Sequence, residues 1–436
     1  MTAAGAGLMA LGGSPVYQAE STRQLLRGPR LLRHRKRWPR VSRNVVLLGL
    51  VSLFTDLSSE MVATILPLYL IFGLGLSPLQ FGVVDGLYQG ASGLVRVGGG
   101  FAGDRSRRHK EVAGLGYGLS AVCKLGYVAV GSALSSLSTI VVLDRIGKGI
   151  RTAPRDALIS LSTSRATLGT AFGVHRALDT AGAMLGPLAA FSILALAPRA
   201  FDAVFVVSFC VALIGVAILF LFVENRSASL ERSQGERVSL RDAFGLIKVR
   251  RFQLLIVLGT LLALFTVSDG FLYLAMQNHM NFDERFIPLL FTGSALAYML
   301  LAVPMGRLAD KVGAGPIFLG GYALLLPVYG SLLLPSFGIA VLPIYLLLIG
   351  TYYAATDGVL MALASALLPE QLRGSGLALL VTATSLARLL ASVLLGGIWT
   401  WVGIDTALLV FGIGLGSAMV MAAFLLTRIG ERPAHA

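Results

Sequence analysis

The stretch "VLDRIGKGIRTAPRDALI", residues 142–159, decides how this chain folds. It holds Asp144, Arg145, Lys148, Arg151, Arg155 and Asp156 between apolar flanks. It is either a water-exposed loop or a helix that carries charge into an apolar setting.

Composition sets the setting. The chain has 436 residues, 56% of them hydrophobic and 13% charged, with mean hydropathy +0.79. Soluble domains carry roughly 25% charge. So much apolar surface needs a lipid bilayer around it, and many of the apolar windows reach the roughly 20 residues that a spanning helix requires. The 51 glycines suit helices whose backbones approach closely. Cys123 and Cys210 sit inside apolar segments, which argues against a disulfide framework and a cysteine metal site. No metal and no other cofactor is expected. The net charge of +14 reads as basic loops rather than nucleic-acid binding.

Twelve spans follow, at 44–72, 77–102, 111–133, 137–162, 168–196, 203–223, 252–277, 286–306, 315–334, 338–365, 374–398 and 404–428. The basic N-terminal tail, the 2–3 loop, the 6–7 linker and the 8–9 loop then share one side. The opposite loops hold only Arg199 and Arg285. Positive charge stays inside, so both termini are expected in the cytoplasm. If 137–162 did not cross, every later helix would reverse and the basic 6–7 linker would land outside. The opening stretch is therefore expected to be a spanning helix, with "SALSSLST" (132–139) as the turn before it.

The longest polar connector, 224–251, divides the spans into 44–223 and 252–428. Residues 1–43 read as a disordered basic cytoplasmic tail, not a cleaved signal, and 429–436 as a short C-terminal tail. Two loops match across the halves. "GFAGDR" presents Gly100, Asp104 and Arg105; "GRLADK" presents Gly306, Asp310 and Lys311; each follows the second helix of its half.

With these repeats the chain resembles the major facilitator superfamily over essentially all of 44–428. "GFAGDRSRR" and "GRLADKVG" resemble its signature loops after helices 2 and 8. "RIGKG" in helix 4, with Arg145 and Gly149, is similar to the motif of proton-coupled drug antiporters. "GAMLGP" in helix 5 is similar to the antiporter Gly-Pro motif as far as Pro187. The resemblance implies an all-α membrane protein, two pseudo-symmetric six-helix bundles, and a central site that opens alternately to each side. It also implies that the paired loops latch the bundles on the cytoplasmic side.

Ionisable residues within a bilayer cost several kcal/mol unless they pair or line a wet cavity (about 2.5–3.5 kcal/mol on insertion scales). The spans hold eight basic and eight acidic residues, which suggests near-complete pairing. Asp144, Lys148, Arg151 and Arg155 form one stripe of helix 4, with Pro154 expected to kink it. Arg145 and Lys148 lie deepest, as candidates for an anion or proton site or as scaffold. Arg155 and Asp156 read as part of a cytoplasmic gate. Asp56 and Glu60 are i, i+4 on helix 1. Two such carboxylates repel when both are ionised, which suits a proton carrier unless helix-4 cations neutralise them. His175 and Asp179 are i, i+4 on helix 5, with Arg176 alongside; His175 is either a proton sensor or the carboxylate's partner. Asp269, Asp357 and Arg388 are the sparse charges of the second half.

These readings describe a secondary transporter of a small molecule, monomeric, in a bacterial inner membrane, coupled to protons. The favoured direction is export of a small organic compound. The alternative, import of a small anionic solute, rests on the cationic helix-4 stripe. A membrane enzyme is disfavoured: no Asp-rich cytoplasmic loop offers a Mg²⁺ site. No Walker run is present for ATP.

Overall fold

The computed structural model describes residues 41–91, 108–164, 167–225, 245–246, 249–335, 338–368 and 372–430. Gly100, Asp104 and Arg105, with the rest of 92–107, lie outside them, as do residues 1–40 of the basic tail. The described elements are helices. They are α1 (Arg43–Leu68, then a π-turn to Gly73), α2 (78–91 as far as it is described), α3 (His109–Ala129), α4 (Leu134–Leu161), α5 (Leu168–Leu196) and α6 (Phe201–Phe222). The second half holds α7 (Arg250–Leu264 and Asp269–Met280), α8 (Ile287–Val312), α9 (Ala314–Ala323 and Leu325–Ser331), α10 (Leu342–Leu367), α11 (Arg373–Val402) and α12 (Ile404–Gly430).

Ten of the described helices are long and apolar enough to cross a membrane. The opening stretch lies in α4, an unbroken 28-residue helix that runs through Pro154. Its charge keeps it off that apolar roster, yet length, partners and parity make it a crossing. It starts at Leu134, inside the segment read as a turn; the actual turn is 130–132.

Glycine contacts set the packing. A Cβ at Gly116 would stand 2.6 Å from the Gly147 carbonyl oxygen, so α3 and α4 touch backbone to backbone. A Cβ at Gly182 would stand 2.2 Å from the Leu53 carbonyl oxygen, which locks α5 onto α1. Asn44, Lys110, Ser162 and Glu224 converge at one end, the termini face, where α1 begins and α12 ends.

The seal between the bundles lies toward the opposite, far face. There the Leu79 amide donates to Thr400 Oγ1 at 2.8 Å. Cβ atoms at Gly82 and Gly86 would stand 2.4 and 2.8 Å from the carbonyl oxygens of Ser392 and Leu389. Phe191 stacks on Phe286 at 5.8 Å, and Arg199 pairs with Glu284 at 2.9 Å. The Arg285 guanidinium and then its amide bind Asp283 in the same region, holding that carboxyl below its ordinary range.

Two spans are interrupted, which the sequence reading did not anticipate. In α7 the break is 265–268. Its freed backbone group is satisfied from a distance: the Val267 amide donates to the Tyr329 hydroxyl of α9 at 2.9 Å. Non-helical backbone persists at membrane depth only where protein satisfies it in this way.

Candidate functional site

The α3–α4 glycine contact brings Ser120 and Lys124 against Asp144. Lys124 Nζ lies 3.2 Å from Asp144 Oδ1, Ser120 Oγ donates to the same oxygen at 2.5 Å, and Arg145 holds the other carboxylate oxygen. All three charged side chains are 5% exposed or less. The Arg145 guanidinium also lies over the Tyr88 ring of α2, 3.8 Å from its centre. Arg145 is thus held in a closed cluster. Lys148, one turn on, is only half-buried, and among the described residues no carboxylate reaches ion-pair distance of it. The two residues that depth alone groups together are separated by their neighbours.

The helix-1 carboxylates also part ways. Asp56 Oδ1 lies 3.4 Å from Arg151 Nη2, and the Arg151 guanidinium stacks over Tyr117. Glu60 makes no ion pair among the described residues; Lys148 is its foremost charged neighbour. A Cβ at Gly186 would stand 2.6 Å from the Glu60 Cβ, so the Gly-Pro run of α5 presses directly on this carboxylate's backbone.

Nearer the termini face, Arg155 pairs with Asp156 at 3.0 Å and reaches Asp179 at 3.8 Å. Arg176, largely exposed, holds Asp179 at 3.1 Å. His175 departs from expectation. Its Nε2 hydrogen-bonds the Ser52 hydroxyl at 2.8 Å, not the Asp179 carboxylate, whose nearest cation is Arg176 at 3.1 Å.

In the second bundle Asp269 accepts from the Tyr353 hydroxyl at 2.8 Å. Asp357 and Arg388 line a cavity of about 300 Å³, with Gln89 of α2 on its other wall. They form no ion pair with each other. Near-complete pairing is therefore not what the described residues show: among them Glu60, Lys148, Asp357 and Arg388 make no ion pair. Gly306 and Asp310 line a second cavity at the end of α8, and Lys311 is exposed beside them.

Lys124, Tyr88 and Asp85 are missing from the sequence-derived site. Asp85 of α2 accepts from Ser392 of α11 at 2.6 Å, a buried link between the bundles. A lysine in the otherwise apolar "AVCKLGY" was the available signal for the first; nothing in the sequence marks Tyr88. Among the described residues no three His, Cys, Asp or Glu side chains stand close enough to hold a metal ion.

The family model for the Major Facilitator Superfamily matches residues 48–283 and again 254–435. The chain belongs to this superfamily. An uncharacterised MFS-type transporter of Methanocaldococcus jannaschii is 33% identical over 369 residues, covering 82% of this chain and 89% of that one. An uncharacterised protein of Mycobacterium tuberculosis is 35% identical over 159 residues, 36% of this chain and 38% of the other. Two solved structures share the fold. The nucleoside transporter NupG superposes with TM-score 0.74 at 15% identity, over 89% of this chain and all of the other. A POT family transporter in complex with 5-aminolevulinic acid superposes with TM-score 0.72 at 14% identity, over 89% and 97%. As a major facilitator, this chain is a multi-pass membrane transporter of a small molecule and not an enzyme.

Proposed function

We propose that this transporter is proton-coupled and exports a small organic compound, working as a monomer in a bacterial inner membrane with both termini in the cytoplasm. The observation that carries the coupling is Glu60: a carboxylate in mid-span with no ion pair among the described residues, whose foremost charged neighbour is the equally open Lys148. An unpaired charge in such a place is costly. Glu60 relieves that cost by taking up a proton or by moving to Lys148. The two solutions differ in the position of the carboxylate and therefore in the packing of α1 on α5, where Gly186 leaves no slack. Asp56 adds a second acceptor that Arg151 releases only when the site rearranges.

The orientation follows from the basic loops. On that orientation the far-face contacts close the outer side. Arg155, Asp156 and the Gly306–Lys311 segment then act at the cytoplasmic gate, where ion pairs form in one state and break in the other. Export is supported by the Gly-Pro run of α5. Import of an anionic solute is the second reading, favoured by the open guanidinium of Arg388 in the cavity wall.

Proteoliposomes loaded with a total metabolite extract test both. An inward proton gradient is expected to speed the loss of one or a few compounds, read by mass spectrometry, and Glu60→Gln to remove that acceleration. Flux indifferent to collapse of the gradient would rule out coupling. Accumulation of an anion driven by the same gradient would select the second reading.

A further inference from the structure

We propose that the cavity between α2, α10 and α11 binds a small zwitterion, its carboxylate on Arg388 and its ammonium on Asp357. The proposal rests on the small-solute reading above and names the substrate class.

The cavity of about 300 Å³ sits where the α2–α11 seal ends, at Gln89 on one wall and Arg388 on the other. Its volume is that of about ten waters at roughly 30 Å³ each, near the lower end of ligand pockets. Most of its polar wall is already occupied. Thr356 donates to the Tyr352 carbonyl at 2.8 Å, and Thr384 to the Leu380 carbonyl at 3.1 Å. Gln89 hydrogen-bonds Asp85. Asp269, close behind, is taken by the Tyr353 hydroxyl.

Two charges are left. A guanidinium has five N–H donors in a planar fork, and Arg388 gives none to the described residues; its Nε is buried without a partner. Asp357 is exposed to this space deep within the fold, and Arg388 is its charged neighbour. The two stay beyond ion-pair distance. An uncharged ligand would leave both unpaired, an anion alone would face Asp357, and a cation alone would face Arg388. A molecule with a carboxylate and an ammonium a few bonds apart satisfies both, the carboxylate bidentately on the guanidinium.

The test is melting temperature of the purified protein in detergent, without any gradient. The probes are the twenty proteinogenic amino acids and alanyl-alanine, each compared with its methyl ester and its N-acetyl derivative. At least one free zwitterion is expected to raise the melting temperature saturably. Esterification or acetylation is expected to weaken apparent affinity about tenfold or more. Arg388→Gln should erase the acid–ester difference, and Asp357→Asn the amine–acetyl difference. The proposal is overturned if no zwitterion stabilises the protein, if esters and acetyl derivatives bind equally well, or if the acid–ester difference survives in Arg388→Gln. Binding here requires no proton coupling, so a zwitterion binder whose flux ignores the gradient overturns only the coupling.

Discussion

Asp144 holds two cations, and removing it should cost far more than removing either one. Its carboxylate carries Lys124 at 3.2 Å, Arg145 on the other oxygen and the Ser120 hydroxyl. Lys124 is 1% exposed and Arg145 4% exposed, so neither cation has water to turn to. Asp144→Asn leaves two like charges side by side. Breaking one buried pair costs about 3–5 kcal/mol because the survivor stays charged and unpaired, and here two survivors remain. Lys124→Met is the contrasting change. It keeps the stem's packing and leaves one carboxylate with one guanidinium, a neutral pair in place of a cluster with net charge +1. Swapping a buried charge for an apolar side chain of similar volume is often near neutral. Asp144→Asn is therefore expected to exceed Lys124→Met by at least about 2 kcal/mol, roughly thirtyfold in the folding equilibrium. Reversible unfolding of the detergent-solubilised protein by SDS, followed by circular dichroism, measures both. Equal costs for the two variants, or a neutral Asp144→Asn, would refute the idea that this carboxylate is the cluster's counter-ion among the described residues.

Further expectations use other contacts. Gly182→Ala should destabilise the protein, because its Cβ would meet the Leu53 carbonyl oxygen at 2.2 Å, whereas Gly118→Ala, with open space around it, should be neutral or stabilising in the same unfolding assay. Tyr329→Phe should cost about 1–3 kcal/mol by leaving the Val267 amide buried and unmet; no loss of stability would mean that the α7 break is satisfied in some other way. Arg199→Glu should leave folded yield unchanged, since the partner pair is partly exposed and worth under about 1 kcal/mol. It should nevertheless open the far-face seal, measured as faster labelling of a cysteine placed at Phe81 by a membrane-impermeant thiol reagent. Adding Glu284→Arg should restore the wild-type rate.

The count of spans was legible because it rests on length, hydropathy and the sidedness of Lys and Arg, all local or additive properties. The same parity identified α4 as a helix despite its charge. Pairing was less legible. Helical spacing places Asp144 and Lys148 on one stripe, but it does not say that Gly116 and Gly147 draw α3 over the first and leave the second open. His175 and Asp179 share a face, yet Ser52 and two arginines divide them. The α7 break was illegible for a like reason. "LALFTVSD" contains no Gly or Pro, and the hydroxyl that permits the break comes from Tyr329, 62 residues away.

The charges then sort by what a rocking motion would do to them. Among the described residues the ion pairs at membrane depth lie within the first bundle: Lys124–Asp144–Arg145, Asp56–Arg151, and Arg155 with Asp156 and Asp179. A rigid rotation of that bundle carries the Lys124–Asp144–Arg145 cluster along unbroken, so it contributes to rigidity and not to switching, whereas the Asp56 and Arg155 pairs are those that the proposed coupling and gate rearrange. The links that must break are of another kind. They are single hydrogen bonds or rim contacts between bundles: Asp85 with Ser392, the Leu79 amide with Thr400, and Arg199 with Glu284. Each is modest in energy, roughly 0.5–3 kcal/mol, which suits a seal that opens at every turnover. The open charges form the third set. Glu60 and Lys148 stand in one bundle, Asp357 and Arg388 in the other, one acid and one base on each. Among the described residues these four can take new partners without first breaking an ion pair, and that is why protons and substrate are best sought at them and not at the closed Lys124–Asp144–Arg145 cluster.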